Sequence, residues 1–219
     1  MQTKLISNNS ENLITFLTGW GCDDNQFKFM NSENYDVLLC YDYSDLSLNF
    51  DFSKYKKHYL ITFSAGVYVA GILKNILPDF TKKIAINGNP VPYDEYFGLN
   101  KEIVNIFMGI TKETTLDFRR KYIVFDENEF RLFNANQSHR TFESCQEELF
   151  SLTAARKNST PLKYDVAILS MNDKIFSPKR QLEYWDKSVY QPDCRVVKLE
   201  NSAHFPFFKL NSYDKITEL

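Results

Sequence analysis

The sequence has no long apolar stretch, few cysteines and no excess of either charge. No run approaches the ~20 apolar residues that span a bilayer, and the N-terminal sequence MQTKLISNNSENL lacks the apolar core of a secretory signal. The four cysteines show no paired metal-ligand spacing and are expected to be free thiols. A formal net charge of -2 gives no general signal for nucleic-acid binding. We expect a cytoplasmic monomer with no metal, no cofactor, and no membrane or nucleic-acid partner.

Hydrophobic residues make up 43% of the 219 residues and aromatic residues 16%, which is enough to bury one sizeable core. Short strand-like runs alternate with helix-like segments along most of the chain. The strand-like runs cover 13–18, 35–40, 59–63, 83–88, 165–170 and 195–199, and the helix-like segments cover 65–77, 178–188 and about 206–219. This alternation predicts a single α/β domain over 1–219, with a mostly parallel sheet and helices on both faces.

Residues from about 90 to 160 interrupt this alternation. They are rich in Phe, Tyr, Glu, Lys and Arg, and they hold helix-like pieces at 101–108, 111–120 and 141–156. Ligands bind at the carboxyl edge of an open parallel sheet, so an insertion over that edge would form a lid or a substrate wall. We predict that 90–160 is a small helical lid inserted into the domain.

The segment YLITFSAGVYVAG, residues 59–71, changes from a strand pattern to a helix pattern at Ser64. Ala65 and Gly66 allow a sharp reversal there, and a helix start presents free N–H groups and its positive dipole end to developing negative charge. This arrangement is typical of the nucleophile elbow G-x-S-x-G, although Thr62 occupies the first glycine position. A simple helix cap is the alternative role for Ser64.

A nucleophilic serine needs a base, because an alcohol is almost wholly protonated near neutral pH. His58 begins the strand that ends before Ser64, about 20 Å away at ~3.3 Å per residue. His139 lies within the insertion and follows no strand. His204 lies in a loop after the strand-like run at 195–199, at the sheet edge that carries Ser64. His204 is therefore the expected base.

The base must be held in the correct tautomer by a carboxylate. Asp173 comes three residues after the strand-like run at 165–170, whereas Asp165 lies at the wrong end of that run. Taken alone, Asp173 is most simply a turn or cap residue. The order Ser64, Asp173, His204, each after a separate strand, is the order found in α/β-hydrolases.

Donors for an oxyanion are expected in FLTGWGCD, residues 16–23, which follows the first strong strand. Gly19 and Gly21 flank Trp20 and allow the backbone to turn its N–H groups toward the site. We predict that one donor is the Trp20 N–H and the other is the N–H of Ala65, directly after the serine. An ordinary glycine turn with a packing tryptophan is the alternative.

Four segments, FLTGWGCD, YDVLLCYDYSDL, HYLITFSAGVYVA and SAHFPFF, together resemble the small α/β-hydrolases of the BioG type. These are the pimeloyl-acyl-carrier-protein methyl ester esterases of biotin synthesis. The resemblance covers nearly the whole chain and is weakest in the insertion. It implies that Ser64 is the nucleophile, Asp173 the acid, His204 the base and Trp20 the oxyanion tryptophan. The chain departs from the family at the elbow, where it has Phe-Ser-Ala-Gly in place of Trp-Ser-Met-Gly.

The resemblance also implies a substrate, the methyl ester of a pimeloyl chain carried by acyl carrier protein. Such carriers are acidic, so a basic rim is expected on the insertion. The candidate carrier contacts are Arg119, Arg120, Lys121, Arg140, Arg156 and Lys157. For each of them, a solvated charge on a helix surface is the alternative. The other functions compatible with the sequence are a general carboxylesterase, an acyl thioesterase, or a hydrolase-like binding protein with an unused serine.

Overall fold

A computed structural model describes residues 1–155, 159–186 and 190–219. Within these ranges seven strands form one sheet in the order β1-β3-β2-β4-β5-β6-β7. The strands are β1 (Gln2–Ile6), β2 (Asn12–Leu17), β3 (Asp36–Tyr41), β4 (Lys57–Phe63), β5 (Lys82–Ile86), β6 (Val166–Ser170) and β7 (Arg195–Leu199). Only β1 is antiparallel to its neighbour, and the other pairs are parallel. This architecture confirms the predicted fold class.

Helices cover the sheet on both faces and fill the long connection between β5 and β6. They are α1 (Ala65–Ile72), α2 (Lys101–Gly109), α3 (Thr115–Phe118), α4 (Glu127–Ala135), α5 (Phe142–Ala154), α6 (Pro178–Trp185) and α7 (Tyr213–Glu218). A 3₁₀ turn at Asp24–Phe27 and a π-helical turn at Arg119–Ile123 complete the described helical segments. None of these helices is long and apolar enough to cross a bilayer.

The core forms two layers because side chains alternate across each strand. Ile14 and Phe16 of β2 lie in one cluster with Ile216 of α7. Leu13 and Leu17 face the opposite side and join a cluster that contains residues of α1 and α6. All four β2 side chains are fully buried, as expected for a central strand of a parallel sheet.

The sequence-based boundaries differ from the structure where polar residues form regular elements. Strand β1 was not predicted because four of its five residues are exposed, so its pattern carries no apolar face. Helix α4 was also not predicted, and it begins after Asp126, whose carboxylate accepts the N–H of Glu129. The segment predicted as helix over 206–219 is helical only from Tyr213, and the segment over 65–77 ends at Ile72. The last residues of the segments predicted over 141–156 and 178–188 lie outside the described residues.

Candidate active site

Ser64 lies in a strained turn between β4 and α1. Its backbone has φ of 53° and ψ of -118°, a combination that L-residues rarely adopt. The Ser64 N–H donates to the Ile86 carbonyl at 3.0 Å, which ties the turn to β5. A Cβ on Gly66 would lie 2.1 Å from the Leu17 carbonyl oxygen, so only glycine allows α1 to pack this close to β2. These contacts hold the serine at the carboxyl edge of the sheet.

The structure brings Ser64, His204 and Asp173 together in one hydrogen-bonded chain. Ser64 Oγ lies 2.9 Å from His204 Nε2, and His204 Nδ1 lies 2.9 Å from Asp173 Oδ2. The other Asp173 oxygen accepts the N–H groups of Ile175 at 2.7 Å and Phe176 at 3.0 Å, which fixes the carboxylate. All three side chains are at most 8% exposed. This geometry allows His204 to take a proton from Ser64 while Asp173 holds its tautomer.

Asn87 was not singled out from the sequence, yet it anchors the loop that carries His204. Its side-chain amide donates to the His204 carbonyl at 2.8 Å and to Ser170 Oγ at 2.8 Å. Its carbonyl oxygen accepts the Ser170 N–H at 2.7 Å. Asn87 is fully buried and has a positive φ of 43°, a backbone that asparagine tolerates better than most residues. An asparagine directly after a strand was the available sequence signal.

The turn at 19–22 lies against Ser64. A Cβ on Gly19 would be 3.2 Å from Ser64 Cβ, and the turn closes with the Cys22 N–H donating to the Gly19 carbonyl at 3.3 Å. The Trp20 indole N–H donates to the Cys145 carbonyl at 2.6 Å. Among the described residues, no protein acceptor takes the backbone N–H of Trp20 or of Ala65. These two N–H groups are the ones predicted to serve an oxyanion.

A buried ion network lies behind this turn. Glu148 of α5 is fully buried and accepts the N–H of Gly21 at 2.9 Å and that of Tyr43 at 3.1 Å. Arg140 contacts the Glu148 carboxylate at 2.5 Å and the Asp42 carboxylate at 2.8 Å. Burial raises the pKa of Glu148, and the Arg140 guanidinium opposes that rise. Glu148 had no sequence signal, because it lies among other acidic residues on an ordinary helix.

A cavity of about 610 Å³ opens at Ser64 and His204 and is lined also by residues of the long connection between β5 and β6. Its aromatic lining includes Trp20, Phe63, Phe107, Phe118, Phe133 and Phe142. The Phe107 ring lies 5.3 Å from Trp20 and 5.6 Å from Phe118, so the wall is continuous across the turn and α2. Two cysteines also line it, Cys22 and Cys145, and burial raises the pKa of the Cys145 thiol to about 11. All four cysteines are free thiols, as expected.

The predicted basic rim divides into different environments. Arg119 lines the cavity and donates to Gln137 Oε1 at 2.7 Å, and burial lowers the pKa of its guanidinium. Arg120 is exposed and pairs with Glu127 at 3.4 Å, and Lys121 is also exposed. Arg140 faces inward: its side chain is 8% exposed, and its charge is balanced by two carboxylates. Arg156 and Lys157 lie outside the described residues.

Within the part of the chain that the structure describes, no group of three or more His, Cys, Asp or Glu side chains is placed to hold a metal ion. The site combines a serine, a histidine and a carboxylate in one hydrogen-bonded chain at the carboxyl edge of a mostly parallel sheet. This fold and site define an α/β-hydrolase. Residues 1–216 match the family described as "Pimeloyl-ACP methyl esterase BioG", and the chain belongs to that family.

Solved and curated relatives agree with this placement. The crystal structure of BioG from Haemophilus influenzae superposes with a TM-score of 0.85 at 30% identity, over 99% of both chains. A malonyl-[acyl-carrier protein] O-methyltransferase from Bacteroides fragilis is 30% identical over 88% of this chain. The matched region makes up 39% of the length of that protein. A lipase-esterase related protein from Clostridium acetobutylicum has a TM-score of 0.66 at 16% identity, over 99% of this chain and 97% of that one. The last similarity concerns the fold alone.

Proposed function

We propose that this protein hydrolyses the methyl ester of a pimeloyl chain carried by acyl carrier protein, and that Ser64, His204 and Asp173 carry out the reaction. The observation that carries the proposal is the hydrogen-bonded chain from Ser64 through His204 to Asp173, with 2.9 Å at each step, at the mouth of an aromatic-lined cavity. Membership of the BioG family supplies the substrate class.

The geometry supports an acyl-enzyme mechanism. His204 Nε2 takes the proton of Ser64 as the serine oxygen attacks the ester carbonyl carbon. The Trp20 and Ala65 N–H groups stabilise the resulting oxyanion. When the tetrahedral intermediate collapses, the C–O bond to the methoxy group breaks, and His204 gives its proton to the leaving methanol. Throughout this step Asp173 stabilises the positively charged imidazole.

The second half of the reaction regenerates the serine. A water molecule attacks the acyl-enzyme carbonyl while His204 removes its proton, and the same two N–H groups receive the oxyanion. Collapse breaks the ester bond to Ser64, and the serine oxygen recovers its proton from His204. The products are methanol and a pimeloyl chain with a free carboxylate, still attached to its carrier.

The cavity and the rim support an extended apolar substrate delivered by an acidic partner. Aromatic side chains from the 19–22 turn, α2 and α3 form the walls, and these suit a methylene chain that carries no charge. Arg119 lies at the cavity wall, and the exposed Arg120 and Lys121 follow it in the same π-helical turn. Positive charge at this position would favour the approach of an acidic carrier.

The test uses methyl-pimeloyl acyl carrier protein and follows two products separately, methanol and the free carrier thiol. We expect the wild-type protein to release methanol and to leave the thioester intact. Ser64→Ala should fold normally and lose this activity, because the covalent route is removed. A fluorophosphonate probe should label the wild type at Ser64 and leave Ser64→Ala unlabelled. Release of carrier thiol in place of methanol would identify a thioesterase, and an unlabelled wild type would identify a binding protein.

A further inference from the structure

Helix α5 of the insertion is bonded directly to the turn that carries the Trp20 N–H. The Trp20 indole donates to the Cys145 carbonyl at 2.6 Å, and the Gly21 N–H donates to the Glu148 carboxylate at 2.9 Å. Cys145 and Glu148 are three positions apart on one helix, so both contacts come from the same helical turn. Helix α5 therefore holds both Trp20 and Gly21, which are joined by one peptide bond.

Both oxygens of the Glu148 carboxylate accept hydrogen bonds in this arrangement. One oxygen accepts the Gly21 N–H and an Arg140 N–H, and the other accepts the Tyr43 N–H at 3.1 Å. Arg140 is held in turn by Asp42 at 2.8 Å and by Ser144 Oγ at 2.9 Å, a residue of α5 itself. A buried carboxylate in an ordinary helix would be unfavourable without these partners. The network joins α5, the 19–22 turn and the residues directly after β3.

We propose that Glu148 is a positioning residue for the oxyanion hole. In the 19–22 turn the Cys22 N–H is bonded to Gly19 and the Gly21 N–H is bonded to Glu148. These two bonds fix the orientation of the turn. Among the described residues, the N–H groups of Gly19 and Trp20 are left without a protein acceptor, in a turn whose Gly19 approaches Ser64. Without the carboxylate, the Trp20–Gly21 peptide loses its anchor. The backbone angles of Trp20 can then change, and the preceding Gly19–Trp20 peptide, which carries the donor N–H, leaves its position. This inference rests on one part of the proposed function, the role of Ser64 as the nucleophile, and it does not depend on the identity of the substrate.

Glu148→Gln tests this proposal with a matched control, Glu147→Gln, which makes the same change at an exposed neighbouring position of α5. A glutamine can accept with only one oxygen, so it cannot serve the Gly21 and Tyr43 N–H groups as the carboxylate does. The measurements are kcat and KM for a short p-nitrophenyl ester, the rate of fluorophosphonate labelling of Ser64, and Tm.

Removing an oxyanion donor lowers kcat by about 10²–10³-fold, so a displaced donor should give a fall of roughly 10- to 100-fold. We expect Glu148→Gln to lower kcat and the labelling rate by this amount, with KM within about twofold because the acyl cavity is intact. Glu147→Gln should match the wild type. A Glu148→Gln variant with a lower Tm but wild-type kcat and labelling rate would show that the network is structural only, and would overturn the proposal.

If Glu148→Gln does not fold, Trp20→Phe provides the second test. Phenylalanine keeps the backbone N–H and an aromatic ring but removes the indole bond to the Cys145 carbonyl. We expect a slower labelling rate with a folded protein, and an unchanged rate would contradict positioning by α5. These assays report on Ser64 with any acyl group. A wild type that reacts with the probe but leaves carrier-bound methyl pimelate intact would therefore reject the proposed substrate, not this inference.

Discussion

Asn87→Ala should lower both the stability of the protein and its kcat, because Asn87 anchors the loop of His204 without lining the substrate cavity. In the wild type its amide bonds the His204 carbonyl at 2.8 Å, and its oxygen accepts the Ser170 N–H at 2.7 Å. Alanine removes both partners, and all three residues are at most 4% exposed, so bulk water does not replace them. The Asn87 amide also donates to the Ala203 carbonyl at 3.2 Å, so the substitution removes the partner of two buried carbonyls and one buried N–H.

The magnitude follows from these losses and from the backbone. Each orphaned buried group costs about 1–3 kcal/mol, and a left-handed backbone disfavours alanine by about 1–2 kcal/mol. With each contribution taken at its low end, we expect a loss of at least about 4 kcal/mol in the free energy of unfolding, a large part of the total of about 5–15 kcal/mol of a typical domain. The surviving folded protein should have a kcat roughly 10- to 100-fold lower, since a misplacement of about 1 Å near a catalytic group can slow a reaction by ~10².

Urea unfolding at constant pH measures the first effect, and short-ester kinetics on folded protein measure the second. Asn201→Ala is the matched control, because Asn201 also has a positive φ, of 52°, but is exposed. The Asn201→Ala variant should lose only the stability that comes from the left-handed backbone, about 1–2 kcal/mol, and its kcat should be unchanged. If Asn87→Ala loses no more stability than Asn201→Ala, the buried hydrogen bonds contribute nothing, and the anchoring role assigned to Asn87 is wrong.

Three further predictions concern the elbow, the rim and the N-terminal loop. Ser64→Gly should be more stable than Ser64→Ala by about 1–2 kcal/mol in urea unfolding, because glycine relieves a strained backbone; equal stability would mean that the elbow stores no strain. Reversing the exposed Arg120 and Lys121 to Glu should lower kcat/KM for the carrier-bound ester but not for a short free ester. An unchanged ratio of the two kcat/KM values would reject this patch as the carrier dock. Burial opposes ionisation of Asp36, but hydrogen bonds from the Ser10 and Asn8 N–H groups outweigh it and lower its pKa below 3.8. The wild type should therefore have a higher free energy of unfolding than Asp36→Asn above pH 3.8, and this difference should decline as pH falls through the lowered pKa. A difference between the two proteins that does not change with pH would contradict this.

The elements and side chains predicted correctly from the sequence share one property. Each has a recognisable local sequence pattern, and the order of the strands decides where that pattern lies in the fold. Ser64, Asp173 and His204 each follow an apolar strand, and the carboxyl ends of parallel strands meet at one edge of the sheet. Strand β1 lacks such a pattern because it is an exposed edge strand. Its pairing with β3 is decided by backbone hydrogen bonds, which any sequence of extended residues can supply.

The residues that sequence reasoning missed depend on contacts between distant segments. In the sequence, Glu148 and Arg140 are two of many charged residues in the polar segment from about 90 to 160, and nothing marks them as buried. Arg140 was expected at the basic rim. In the structure Arg140 neutralises Glu148, and Glu148 binds a backbone N–H at Gly21, 127 positions earlier in the chain. A buried charge is distinguished from a solvated one only by what surrounds it, and spacing within a helix does not carry that information.

Thr62 shows how the elbow forms without its first glycine. Thr62 pairs with Leu17 on one side and Ala85 on the other, and it is fully buried. Its Oγ1 lies 3.2 Å from the Ile84 carbonyl oxygen and 3.2 Å from the Tyr164 hydroxyl, so the added hydroxyl has polar partners inside the sheet. The close approach of backbone to backbone falls instead at Gly66, where a Cβ would lie 2.1 Å from the Leu17 carbonyl oxygen. The elbow therefore requires a glycine on its helical side, whereas its strand side requires only a side chain whose polar atom finds a partner.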